Sequence, residues 1–250
     1  MYRRLLDLYK EYQASDMTRA QFLHEAGRLP GIYCPQLYEA SYKEDGTIAA
    51  FTPHYDDVPA KIDKEIVTDL DAEAAVYPLA PVVPFIKVTQ DRVVLEIMRG
   101  CIRGCRFCQA GMIYRPVREK DVEVLKHYAY EMLKNTGHEE ISLSSLSSSD
   151  YSQLEELVNF LIDNFKDKGV NISLPSLRID AFSLDVMGKV QDIRKSSLTF
   201  APEAGSQRLR NVINKGLTEE VILNGAGMAF EGGWNKVKLY FMLGLPTETE

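Results

Sequence analysis

Three cysteines, Cys101, Cys105 and Cys108, lie in the stretch LEIMRGCIRGCRFCQAGMIYRPVR that runs from Leu95 to Arg118. Thiolates are soft ligands and select zinc, copper(I) or iron–sulfur clusters. A structural zinc ion takes four protein ligands, usually from two C-x2-C-like knuckles. Here the spacing is C-x3-C-x2-C, and the only other cysteine is Cys34. Three cysteines on one loop suit three irons of a [4Fe–4S] cube and leave the fourth iron open to a small molecule through amine and carboxylate groups. Arg99, Arg103 and Arg106 flank the thiols and offset the negative charge of a thiolate cluster. Other readings stay open on the residues alone: a zinc site completed by a distant histidine such as His127 or His138, a redox pair of Cys105 and Cys108, or unrelated buried cysteines.

The C-x3-C-x2-C spacing, with aromatic Phe107 before the last cysteine, resembles the signature of the radical S-adenosylmethionine (radical SAM) superfamily. That resemblance implies a [4Fe–4S] cluster on Cys101, Cys105 and Cys108 and S-adenosylmethionine on its open iron. It implies reductive cleavage to a 5′-deoxyadenosyl radical that abstracts hydrogen from a substrate, with an electron donor such as flavodoxin or ferredoxin. The segment itself does not identify the substrate.

The chain of 250 residues, 45% hydrophobic, is long enough for one large α/β domain or two small ones. A formal net charge of −7 implies no general nucleic-acid-binding surface. Four cysteines, three of them clustered, do not make a disulfide scaffold, and free thiols point to a reducing cytoplasm. The opening MYRRLLDLYKEY is charged rather than an apolar leader, and no apolar run reaches the roughly 18 residues of a membrane helix.

The elements that must position the thiols follow from periodicity. Residues 3–13 and a helix opened by Thr18 and Gln21 and ended by Gly27 form a helical tail over 1–30. Residues 31–90 read as a hairpin, turned at Glu44-Asp45-Gly46-Thr47, and a proline-punctuated linker. Cys34 and His54 in that region read as structural. From 91 to 250, strands alternate with helices: strands at 93–97, 140–143, 171–174, 197–201 and 236–242, and helices near 119–135, 151–168, 183–191 and 218–230. Asp150 closes a serine run as the expected N-cap of the second helix. The alternation predicts a partial (βα) TIM-like barrel of about five strand–helix units, with polar or glycine residues gathered at one mouth. The chain stops where the helix of the fifth unit should start, so the core reads as truncated at the C-terminus.

Other motifs extend the resemblance. APEAGSQRLR after the fourth strand resembles a ribose and carboxylate site for S-adenosylmethionine, which implies roles for Glu203, Ser206 and Arg208. The alternative is a plain helix start with Ser206 as cap and Arg208 in solvent. PSLRID after the third strand brings Ser176 and Arg178 towards the mouth, where Arg178 binds cofactor carboxylate or pairs with Glu203. FMLGLPTET resembles the fifth-strand motif of methylthiotransferases and cobalamin-binding radical SAM proteins, with Gly244 at the adenine. Where many members carry a Gly-Gly-Glu-type stretch after strand two, this chain has LSSLSSSD. Over its whole length the chain resembles uncharacterised bacterial cobalamin-binding-like radical SAM proteins, yet it has no D-x-H-x-x-G cobalamin signature. Two alternatives to the enzyme reading of an unidentified substrate are kept. One is a methylthiotransferase-like enzyme acting on tRNA or a ribosomal protein. The other is a non-catalytic zinc or electron-transfer cluster protein.

Overall fold

The structure is a computed structural model that describes residues 1–72, 77–175, 177–181 and 198–249. It divides into two compact units, Met1–Thr68 and Asp69–Glu250.

In the first unit, helix α1 (Tyr2–Ala14) and helix α2 (Arg19–Gly27) join an antiparallel hairpin, β1 (Tyr38–Tyr42) and β2 (Ile48–Pro53). They pack around Ala26, Cys34, Leu37, Tyr38 and Val58, with Leu5, Leu8 and Leu23 against them. The capping box at Thr18 and Gln21 is formed in full. Gly27 has a different job from the expected one. It is still helical, and a Cβ there would stand 2.3 Å from Leu37 Cδ1, so it allows close packing rather than a left-handed stop. Cys34 is buried in this small core, and burial pushes its thiol up, as for a packing residue.

The second unit is a mixed α/β partial barrel. Strands β3 (Val93–Glu96), β6 (Glu140–Ser144) and β7 (Asn171–Ser173) form a parallel ladder in that order. Val93 stands opposite Ile141 and Leu95 opposite Leu143, while Ile141 stands opposite Ile172. Helix α4 (Val122–Thr136) lays Val122, Leu125, Ala129 and Met132 on this ladder, and α5 (Leu154–Phe165) adds Leu157, Val158, Leu161 and Phe165. Both helices show the apolar stripe of a 3.6-residue period. Gly137 ends α4 in the left-handed region at φ 69°, its N–H donating to Leu133 O. A second parallel ladder pairs β8 (Leu198–Glu203) with β9 (Val237–Phe241). Between these strands run α6 (Gln207–Val212) and α7 (Glu219–Glu231), capped by Ser206 and Thr218.

Several boundaries differ from the sequence reading for physical reasons. Helix α4 starts three residues late. Short strand β5 (Arg118–Glu119) first pairs with β4 (Met98–Arg99), and Asp121 caps the helix by accepting from Glu123 N. Asp150 does not cap α5. The cap position is Gln153, and the Asp150 carboxylate is held by Arg103 instead. The helix expected near 183–191 lies outside the described residues.

Candidate active site

The cysteine loop leaves the carboxyl end of β3 through β4. Gly100 makes that exit possible. Its φ is +92°, and a Cβ would meet backbone atoms of Tyr114, Pro116 and Val117 at 2.8–3.0 Å. Cys101, Cys105 and Cys108 are all free and partly exposed. Arg103 N–H donates to Cys101 Sγ at 3.4 Å. Cys108 caps the short helix α3 (Gln109–Ile113), its Sγ accepting from Gly111 N at 3.3 Å. Two of the three sulfurs therefore already receive backbone N–H groups.

Two polar clamps fix this loop to its neighbours. On one side, Arg103 donates Nε to Asp150 Oδ2 at 3.0 Å, in the loop after β6. Burial pushes Asp150 up, but hydrogen bonds from Arg103 and Ser147 more than reverse this, and its carboxyl lies below the ordinary aspartate value. On the other side, Arg106 N donates to Ile213 O at 2.9 Å and Asn214 Nδ2 to Gly104 O at 2.7 Å. Asn214 adopts φ 54°, a left-handed conformation that Asn tolerates better than most residues.

The strand-four loop is itself unusual. Pro202 and Glu203 sit where the β8–β9 register breaks, and Glu203 has φ 69°. A non-glycine residue held there carries local backbone strain, a feature that clusters at binding sites. The Glu203 carboxylate lies 3.5 Å from Lys215 Nζ, which also lies 5.8 Å from the centre of the half-exposed Phe107 ring. Arg178 does not pair with Glu203. It makes a two-pronged contact with Asp180, 2.9 Å on each oxygen. Ser206 Oγ accepts from Leu209 N and so acts as the helix cap. Arg208 is exposed and donates to Thr247 Oγ1 at 2.9 Å and Thr247 O at 3.0 Å in the strand-five loop. Gly244 has φ +75°, with nothing within 4 Å of where a Cβ would project. Ser176 lies outside the described residues. The structure thus gathers Phe107 and Glu203 around Lys215, and it links Arg208 to the loop of Gly244. It sets Arg178 in a separate network with Arg103.

Sequence reasoning missed two organising residues and gave a third, Asp150, the wrong role. Arg210 is 2% exposed and donates to Ala204 O, Gly205 O and Leu217 O, so it shapes the strand-four loop. Lys215 sits between Glu203 and Phe107, and Asp150 holds Arg103. None has a local spacing signal, because each partner set is closed only by the fold.

The donor set fits an iron–sulfur cube better than a zinc ion. Among the described residues, no three His, Cys, Asp or Glu side chains are gathered to hold one ion. A cube presents a separate iron to each thiolate, so its ligands need not converge on one point. His138 precedes β6 and lies 3.4 Å from Asp91, just ahead of β3, at the opposite end of these parallel strands from the cysteine loop. His127 is exposed on α4. The serines after β6 are occupied: Ser147 Oγ donates to Asp150 Oδ2 at 2.7 Å and Ser148 Oγ to Pro175 O at 2.7 Å. A cavity of about 240 Å³ lies beside the loop, lined by Glu96, Arg99, Gly100, Tyr114, Ser144 and Ser145.

Comparison with known proteins finds relatives over part of the chain. An uncharacterised protein of Methanocaldococcus jannaschii is 45% identical over 156 residues, covering 62% of this chain and 34% of the relative. A second protein of that organism, which carries a provisional methylthiotransferase name, is 26% identical over 170 residues, covering 63% of this chain and 36% of the relative. The chain thus spans about a third of the length of the curated relatives it matches. Among solved structures, methylornithine synthase is 15% identical with a TM-score of 0.43, covering 63% of this chain and 46% of that one. A cobalamin-dependent S-adenosylmethionine radical enzyme, OxsB, is 17% identical with a TM-score of 0.48, covering 60% and 23%. The family described as the Radical SAM superfamily matches residues 95–250, from β3 through the cysteine loop to the last residue, and the chain belongs to that superfamily.

Proposed function

We propose that Cys101, Cys105 and Cys108 hold a [4Fe–4S] cluster, that S-adenosylmethionine binds across the strand ends, and that the protein is a radical SAM enzyme of the reducing cytoplasm. The observation that carries this reading is the cysteine loop. Three partly exposed thiols stand at the carboxyl end of the first parallel strand, on a loop pinned from both sides. A cluster held by Cys101, Cys105 and Cys108 would, when reduced, supply the one electron that breaks the sulfonium carbon–sulfur bond of S-adenosylmethionine, leaving methionine and a 5′-deoxyadenosyl radical to take hydrogen from substrate. A flavodoxin- or ferredoxin-like donor would deliver that electron.

The chain's own residues bind and orient. The Glu203 carboxylate accepts from ribose hydroxyls, and its strained backbone fixes its direction at the bulge. Its contact with Lys215 is long enough, at 3.5 Å, to yield to a ligand. Phe107 shields the thiol loop from water on the side of Lys215. Arg208 ties the strand-four loop to the strand-five loop through Thr247, and Gly244 leaves backbone open to a flat ring. Arg178 acts in the network of Asp180.

A methylthiotransferase-like reaction is the second reading, favoured by the provisional name of the 26% identical relative. That reading expects a second cluster-binding domain with three cysteines of its own, and Cys34, packed in a core, is not one of them. The test is product analysis after anaerobic reconstitution and dithionite reduction. 5′-Deoxyadenosine and methionine should form, and Cys105→Ala should abolish both. Folded, fully iron-loaded protein that forms neither would sink the proposal.

A further inference from the structure

The middle of the C-x3-C-x2-C run carries a side chain bound deep into the barrel mouth. Arg103 donates Nε and one terminal nitrogen to the two oxygens of Asp150, at 3.0 and 2.5 Å, and its other terminal nitrogen lies 3.5 Å from Asp180 Oδ2. Asp180 takes a two-pronged contact from Arg178, and Arg178 N donates to Ser149 Oγ at 3.0 Å. The Asp150 side chain is only 5% exposed, and Ser147 Oγ also donates to its Oδ2. Two arginines and two aspartates thus join the loops after β3, β6 and β7, and their charges cancel.

This cancellation decides what the pair does. The Arg103 charge is shared chiefly with Asp150 and Asp180, so the pair acts on the thiols mainly through geometry. A planar guanidinium held on both oxygens of a buried carboxylate has little freedom. Its backbone root is then fixed as well, and that root is the N–H on Cys101 Sγ.

We propose that Asp150 is a positioning residue for the cysteine loop: by clamping Arg103 it keeps the Arg103 N–H on the Cys101 sulfur, which sets how the thiols are displayed and tunes the potential of the cluster they hold. The second half rests on the cluster reading above. The first half does not.

The test is Asp150→Asn in the whole chain, with hydrogen exchange read first on protein without a cluster. Amides of the segment 100–106 should exchange about tenfold faster than in the parent, while those of α5 stay within about twofold. In reconstituted protein, loss of a hydrogen bond to sulfur should move the reduction potential to a more negative value and alter the reduced EPR line shape. Arg103→Lys, which cannot form the fork, should do the same and serves where Asp150→Asn fails to fold. Unchanged exchange at 100–106 in a folded variant overturns the clamp, whatever the cluster does. Faster exchange with an unchanged potential overturns the tuning. If neither parent nor variant takes up iron, the cluster reading falls, and the exchange result still decides the clamp.

Discussion

The two parallel ladders of the second unit both rest on apolar cores but differ in how fully their strands are covered. β3, β6 and β7 rest on a core in which Leu95, Leu125, Ile141, Leu143, Leu157 and Leu161 are wholly buried. In the β8–β9 pair, Leu198 and Phe200 are buried with Leu217, Ala229 and Trp234, but Leu239, Tyr240 and Phe241 are exposed, and the loop between the strands is shaped by Arg210 and its three carbonyls. The first region is a packed base that carries the cysteines. The second is a half-covered pair whose hydrogen-bonded loops carry Glu203, Arg208 and Gly244. Apolar burial tolerates no local adjustment, whereas hydrogen-bonded loops have bonds that a ligand can exchange one for one. Under the proposed function the first would carry the metal loop and the second the cofactor cradle.

Substitutions sharpen this contrast. The largest effect is expected from Leu143→Ala, which leaves a cavity in the sealed core. It should cost about 3–4 kcal/mol in urea unfolding, and a loss under about 1 kcal/mol would break the comparison. Next comes Arg210→Met, which strands the carbonyls of Ala204, Gly205 and Leu217. A loss of about 2 kcal/mol is expected, together with weaker S-adenosylmethionine binding by calorimetry. Iron content after reconstitution should stay near that of the parent, since the thiols stand on the other ladder.

A third prediction concerns acid. Asp150 is held below its ordinary value in the folded protein, so its contribution is present above the unfolded value of about 4 and is lost as pH falls through the lower folded value. The groups facing it are Arg103, Arg178 and, through Arg103, Asp180. The urea midpoint should therefore fall less between pH 5 and pH 3 in Asp150→Asn than in the parent. An identical pH dependence would remove Asp150 from the account. The smallest effect is expected from Leu239→Ala on exposed β9, under about 1 kcal/mol by the same unfolding assay. A core-sized loss there would mean that the second ladder is packed like the first.

The first region was largely legible in the sequence. The cysteines are close together in the chain, and aliphatic strands alternate with amphipathic helices, so local spacing carried both the loop and the units around it. The second was legible only as motifs. Glu203, Ser206 and Arg208 stand out in APEAGSQRLR, but the left-handed backbone of Glu203 and the Thr247 partner of Arg208 arise from pairing β8 with β9. Asp150 shows the limit well. Its place after a serine run and before an apolar helix matches an N-cap, and the stronger claim of Arg103, 47 residues earlier, has no trace in local spacing.

The central claim is that the three thiols hold a cube whose fourth iron is open. Anaerobic iron and sulfide analysis with EPR of the dithionite-reduced protein, with and without S-adenosylmethionine, tests it most directly. About four irons per chain and a signal that changes when S-adenosylmethionine is added are the predicted result. Stoichiometric zinc, or a cluster signal indifferent to S-adenosylmethionine in folded protein, would contradict it.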